Sequence, residues 1–590
     1  MMVSASASSI VSGSSMLAML LTPPSHGQLA HLTPLDVAVI AIYFTMVLFI
    51  GFYLRQSSNT SEQFFLAGRE MTAWIAGLSF VSANMGSLEL MGWAGSAYQY
   101  GILATHWYWI GAIPAMLFLG LVMMPFYYVC KTHSVPGYLK LRFGESSRIL
   151  AAFSFAIEMV LMSGVNMFSM AVVMKVVLGW DITFSILMSS LAVAVYVGLG
   201  GLRSAIYNEV LQFVLIWAGA LLVPILGLVE AGGWHKMVAR IASNYRGQDY
   251  VHLWRDTAHF SANPMGVHWT GIVFGLGFVI SFGYWTTDFL VVQRVLAARN
   301  LRAAQMAPII GSFFKMAVPF IVILPGLLGL VVLQNPDGTL LHLVGENHVS
   351  VANPHSFNEV LPLMMVRYLG PGLLGLGITA LMAGFMSGMA GNVSAFATVW
   401  TYDLYQPLIR KRAPDSHYVA IGRWATVLGV AVSIGAAYLV MHAAGIMDYV
   451  QALFSFFIAP LLGAILLGMF WKRATAAGGF CGLLLGILSS VGLFVWVRMD
   501  PSALSMVALS PDAKSMAENL YRALWSFLIA VTVTVAVSLF TRPRPMAELE
   551  GLVYGVTKLP FQEPVPFYKN QWFWAVVVVI LFAGLNILFW

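Results

Sequence analysis

About fourteen runs of roughly twenty mostly apolar residues succeed one another along the chain, and no other feature restricts its fold so strongly. They fall near 35–54, 72–95, 104–130, 149–177, 181–199, 205–229, 269–292, 307–333, 370–402, 419–441, 447–470, 475–498, 518–541 and 571–590. A helix of about 20 residues crosses the hydrocarbon core of a bilayer, where backbone groups must be bonded inside the protein. Of the 590 residues, 59% are hydrophobic and 9% charged, whereas soluble domains carry about a quarter charged residues. The pattern predicts an all-α membrane protein of about fourteen spanning helices. No intervening stretch is long or polar enough for a soluble domain, so 35–590 reads as one transmembrane domain. Residues 1–34, rich in Ser and Ala with a single short apolar run at Met16–Leu21, read as a disordered tail; the run lacks the basic lead-in of a signal peptide.

Lys and Arg set the orientation. Counting loops from the first run, the odd ones hold 20 of the 30 basic residues, among them Arg55, Lys131, Arg203, Arg410, Lys411, Arg412 and Lys558. The loop at 334–360 holds none. The positive-inside rule therefore places the odd loops in the cytoplasm and both termini outside, as in a multi-pass protein of the plasma membrane. The loop at 230–268 carries four basic residues, but long translocated loops escape the rule. Short basic clusters between apolar runs are an orientation signal, and the net charge of +6 gives no reason to expect a nucleic-acid partner. Cys130 and Cys481 offer neither a metal-ligand spacing nor a structural disulfide.

Two runs are interrupted. Ser82-Ala83-Asn84-Met85-Gly86-Ser87-Leu88-Glu89 and Ser281-Phe282-Gly283-Tyr284-Trp285-Thr286-Thr287-Asp288 place small, polar and acidic residues at membrane depth. Interruptions at matching places in two halves point to inverted repeats around a shared midplane site. The alternative is two small-residue packing faces, each with a buried acid. A third segment crowds Gly384, Ser387, Gly388, Gly391, Asn392 and Ser394 onto one helix. Gly384 and Ser387 share a face, so a freed carbonyl and a hydroxyl could reach one small cation; close helix crossing explains the same residues. Lys315 is a candidate for a structural ion pair between neighbouring helices, with Asp288 or with Glu89 as partner, and Glu158 for a buried acid facing a polar interior or a partner. Trp107, Tyr108 and Trp109 read as an aromatic belt at an outer helix end, with His106 interfacial beside them.

These residues resemble the sodium/solute symporter family. Phe65-Leu66-Ala67-Gly68-Arg69 followed by Ser82–Ser87 is similar to the start of its first core helix, and Gly200–Gln212 to its inner-loop motif. Tyr284-Trp285, Gln293–Arg299, Thr401–Tyr405 and Phe470–Arg473 look like its sodium/glucose and sodium/galactose branch. The resemblance covers roughly 35–500. It implies a LeuT-like core of two inverted five-helix repeats, about 72–229 and 269–470, plus flanking helices.

Carried over residue by residue, the resemblance implies a sodium site from backbone oxygens of Ser82, Met85 and Gly384 and the hydroxyl of Ser387. Gly388 stands where the family usually has a second serine. Glu209 matches an acid that some members use for a second sodium site; an acid facing a helix N-terminus is the alternative. The implied solute pocket comprises Asn84, Glu89, Tyr108, Ser281, Tyr284, Trp285, Lys315 and Gln451, with Tyr284 as inner gate. Glu89, Tyr108 and Ser281 depart from the family's residues, and the pocket's carboxylate moves from position 108 to 89.

The expected function is sodium-coupled symport of a small polar solute, a sugar or related polyol, by alternating access, with Na+ as the coupling ion. The alternatives are sodium- or proton-coupled symport of an amino acid or carboxylate, and a non-transporting membrane sensor on the same fold. An enzyme is not expected: no His-Glu-x-x-His, nucleotide-binding glycine loop or Cys/His cluster is present.

Overall fold

The computed structural model describes residues 32–54, 65, 67–130, 134–334, 339–341, 343, 356–441, 443, 445–557 and 562–590, without the side chains of 192 and 194–201. Most of the expected N-terminal tail, and Arg55, Lys131 and Lys558, lie outside the described residues.

The chain order is α1 (Pro34–Leu54), α2 (Ala73–Asn84), α3 (Ser87–Tyr100), α4 (Trp107–Cys130), α5 (Glu145–Leu178), α6 (Ile182–Ala220) and α7 (Leu222–Ala231). There follow α8 (Gly271–Thr287), α9 (Phe289–Leu296), α10 (Leu301–Val332), α11 (Leu373–Leu408), α12 (Asp415–Val440), α13 (Ile446–Phe470), α14 (Ala476–Met499), α15 (Ser515–Phe540) and α16 (Gln571–Leu588). Short helices such as Val135–Phe143, Trp234–Asn244 and Val360–Tyr368 connect them.

Among the described residues eleven helices are long and apolar enough to cross a membrane, or twelve if α8 and α9, bent by 48°, count as one span. The two remaining expected runs differ for identifiable reasons. The run at 72–95 is divided at Met85-Gly86 into α2 and α3, each too short to cross alone. The runs at 181–199 and 205–229 share the helix α6, which is assigned without a break through Gly200-Gly201.

Burial sorts the helices into two shells. The outer faces of α1, α12, α14 and α16 expose Phe49, Ile42, Trp424, Leu488 and Ile580. Water would disfavour such continuous apolar faces, and lipid tails would not. By contrast α3, α5, α9, α10 and α11 are buried along most of their length. The segment before α2 is tied to the end of α9: Met71 N–H donates to the Ala297 carbonyl at 3.0 Å, and Arg299 N–H to the Met71 carbonyl at 2.9 Å. This joins the beginning of the first interrupted unit to the end of the second interruption.

Candidate functional site

At the first interruption Met85 leaves helical geometry (φ −82°, ψ 54°) and Gly86 is extended (φ −68°, ψ 168°). At the second, Asp288 is extended (φ −67°, ψ 119°), and its Oδ1 accepts the Leu290 N–H at 2.8 Å to cap α9. The two breaks meet: Asn84 Nδ2 donates to the Tyr284 hydroxyl at 2.7 Å. Sequence spacing indicated breaks at matching positions, and the fold brings them into contact.

The expected cation ligands converge. Ser387 Oγ donates to the Ser82 carbonyl at 2.8 Å and lies 3.1 Å from Ser82 Oγ. A Cβ at Gly384 would sit 2.8 Å from the Met85 carbonyl oxygen, closer than side chains tolerate, so glycine is what lets α11 approach the broken turn. These oxygens suit a hard monovalent cation. Gly388 has its own explanation. A Cβ there would meet Gly86 Cα at 3.0 Å and the Asn166 side-chain amide at 3.1 and 3.2 Å. The amide of Asn166 therefore occupies the space beside position 388, and Ser87 Oγ donates to the Asn166 carbonyl at 3.1 Å. Sequence reasoning missed Asn166, a polar residue in the middle of a long apolar run.

Glu209 lies inside α6, not at a helix N-terminus. Its carboxylate accepts Arg294 Nη2 at 2.5 Å and Arg294 Nε at 3.3 Å, and Ser79 Oγ also donates to it. Both partners of this ion pair are fully buried. In this conformation the carboxylate is spent on Arg294.

The expected solute residues form two groups. Asn84, Glu89 and Tyr284 line one cavity, together with Gly86, Trp93, Trp107, Asn166, Asp288, Gly388, Asn392 and Phe454. Behind it, Lys315 Nζ donates to Glu89 Oε1 at 2.6 Å and Tyr108 Oη donates to the same oxygen at 2.8 Å. The ammonium also lies 5.2 Å from the Tyr108 ring centre and 5.4 Å from that of Trp285, within cation–π reach. Lys315 therefore pairs with Glu89; the expected pairing with Asp288 is not formed. Ser281 packs against Gly111 of α4, and Gln451 follows the cavity-lining Val450 on α13.

The aromatic residues correct another expectation. Trp107, Tyr108, Trp109 and His106 are all buried, not interfacial. His106 Nε2 lies 2.8 Å from the Leu253 carbonyl. Trp107 stacks on Phe454 (5.8 Å, 14°) and Trp93 (5.6 Å, 30°), and Phe454 contacts Tyr284 at 5.0 Å. These rings leave a cavity of about 30 Å³, room for a water or two and far short of a monosaccharide. Admission of a solute requires the rings to move.

Six buried polar atoms of the expected solute residues make no hydrogen bond: Asn84 Oδ1, Glu89 Oε2, Ser281 Oγ, Trp285 Nε1 and both amide atoms of Gln451. Buried polar groups are ordinarily paired, and an unpaired one costs about 1–3 kcal/mol. Among the described residues no group of three or more His, Cys, Asp or Glu is placed to hold a metal.

A family model described as the sodium:solute symporter family matches residues 64–486. Sodium/glucose cotransporter 4 of Danio rerio is 30% identical over 535 residues, covering 88% of this chain and 80% of that protein. Sodium/glucose cotransporter 1 of Oryctolagus cuniculus is 28% identical over 546 residues, with 88% and 81% covered. Sodium/myo-inositol cotransporter 2 of the same species is 30% identical over 549 residues, with 90% and 80% covered. The solved structure of a Na+-coupled sialic acid symporter in a substrate-bound outward-open state superposes with a TM-score of 0.68 at 19% identity, over 87% of this chain and 99% of that one. That likeness shows a shared fold.

Proposed function

The chain belongs to the sodium:solute symporter family, and on that premise we propose that it carries a neutral polyhydroxylated solute, a sugar or related polyol, across the plasma membrane. The observation that carries the solute class is the set of six unpaired polar atoms around a cluster whose charges already cancel. Glu89 and Lys315 neutralise each other, so a charged solute would find no unmatched counter-charge on either; Asp288, the other acid lining the cavity, spends one oxygen on capping α9. A solute with several hydroxyls offers both donors and acceptors to Gln451, Asn84, Trp285 and the free Oε2 of Glu89. The names of the sugar and inositol cotransporters among the relatives point the same way.

In this reading Na+ binds between the carbonyls of Ser82, Met85 and Gly384 and the hydroxyl of Ser387. Cation binding there holds α11 against the broken turn of α2, which couples ion occupancy to the position of Asn84 and, through it, Tyr284. Trp107, Phe454 and Tyr284 close the cavity as one cluster of rings, with Tyr284 as the inner gate. Alternating access then exchanges which side opens, around two inverted five-helix repeats within fourteen crossings and with both termini outside.

Thermal stabilisation of the purified protein in sodium tests the solute class. Neutral sugars or polyols should raise the melting temperature, and amino acids and carboxylates should not. Stabilisation by an amino acid alone would favour the rival reading, with Glu89 as counter-charge to an amine.

A further inference from the structure

Glu158 on α5 is 1% exposed, and neither of its carboxylate oxygens accepts a hydrogen bond from the protein. It stands one and two helical turns from Met162 and Asn166, so the three share a face. Met162 and Asn166 both line the solute cavity, and so does Asp288 at the second helix break. Glu158 thus lies on the cavity-facing side of α5, one turn beyond Met162 toward the helix's N-terminal end.

The charges around it do not neutralise it. Asp288, which lines the cavity together with Met162 and Asn166 of α5, is an acid of the same sign, and among the described residues no cationic side chain bonds Glu158. Arg294 acts on Asp288, but its guanidinium is engaged with Glu209. Lys315 is engaged with Glu89. Among the described residues neither carboxylate has an ion-pair partner, and two such acids inside a bilayer-spanning bundle are expensive unless a positive charge joins them.

We propose that Glu158 and Asp288 together hold one exchangeable monovalent cation, additional to the sodium at the Ser82–Ser387 site. One oxygen of Asp288 caps α9, which leaves the other free, and Glu158 contributes two unengaged oxygens. A proton and a sodium ion supply the same positive charge. Placed beside the second helix break, this cation responds to the movement of Tyr284 and α9 and adds a second coupled charge. The proposal rests on the symporter reading for its consequence, not for its test.

The test uses purified full-length protein and no solute. Equilibrium binding of radioactive Na+ gives the sodium count, and infrared spectroscopy reports a carboxylic-acid carbonyl band as bath pH is varied. With sodium as the cation, Glu158→Gln lowers bound sodium by one ion per chain. With a proton, the sodium count is unchanged and a band that follows bath pH in the wild type disappears in Glu158→Gln. Glu158→Asp keeps the cation in either case. Should Glu158→Gln fail to fold, Asp288→Asn carries the same readouts, because asparagine also caps a helix. Identical sodium counts and identical pH-dependent bands in wild type and variant overturn the proposal. Neither arm involves a solute, so a wrong solute class leaves the result readable.

Discussion

Lys315 Nζ lies 2.6 Å from Glu89 Oε1, with both side chains sealed inside the helix bundle. The carboxylate that the resemblance expects to meet solute is therefore also half of a buried ion pair, and only its Oε2 remains free.

This changes what Glu89→Gln does. The substitution is nearly isosteric, yet it strands a buried ammonium, a loss of about 3–5 kcal/mol. Glu89→Gln should melt at lower temperature and bind solute about ten- to a hundredfold more weakly. Glu89→Gln with Lys315→Met removes both charges and should regain much of the melting temperature while binding solute weakly. Thermal unfolding and solute affinity on the same samples check this, and wild-type affinity in the double variant would make the pair purely structural.

Ser387→Ala removes the hydroxyl that meets the Ser82 carbonyl. Half-maximal uptake should then require about ten- to a hundredfold more sodium. Restoring the family's second serine is not a simple gain, because a Cβ at position 388 would meet Gly86 Cα at 3.0 Å and the Asn166 amide at 3.1 and 3.2 Å. Gly388→Ser alone should leave sodium affinity unimproved, whereas Gly388→Ser with Asn166→Ala should tighten it. Sodium titrations of uptake separate the two.

Glu209→Gln should destabilise the protein by about 3–5 kcal/mol, since Arg294 is buried and loses its partner. If the ion pair is the residue's role, surviving protein keeps the parent's sodium dependence, measured as uptake against sodium concentration. A drop in the number of coupled sodium ions would restore Glu209 as a second sodium site.

Trp254 N–H donates to the Trp590 carbonyl at 3.2 Å, and Trp254 Nε1 to Asn586 Oδ1 at 3.2 Å. The end of α16 thus packs on the loop at 230–268. An impermeant thiol reagent applied to intact cells should label a cysteine placed at Asn586 or in that loop, and not one placed at Lys411. Labelling of Lys411→Cys from outside would reverse the orientation.

Much of this was legible before any coordinates. Hydropathy marked the spans because lipid contact demands length and apolarity, and the polar segments at 82–89 and 281–288 marked the two helix breaks because such residues are costly in a bilayer. What stayed hidden was pairing. Lys315 could meet Asp288 or Glu89 by helix adjacency alone, and the register of α10 against α3 chose Glu89. Trp107 and Tyr108 looked interfacial because aromatic residues near a helix end usually are, yet α4 turns them inward against Phe454 and Glu89. Asn166 carried no motif at all, and its role emerges from the space that glycine leaves at 86 and 388.

The most direct test of the account is uptake of a labelled hexose or inositol into proteoliposomes, with an inward sodium gradient and with the gradient replaced by an impermeant organic cation. The account predicts concentrative uptake only with the sodium gradient, competed by unlabelled sugars or polyols and strongly reduced in Ser387→Ala. Uptake equally fast in both gradients, or competed by amino acids and not by sugars, would contradict it.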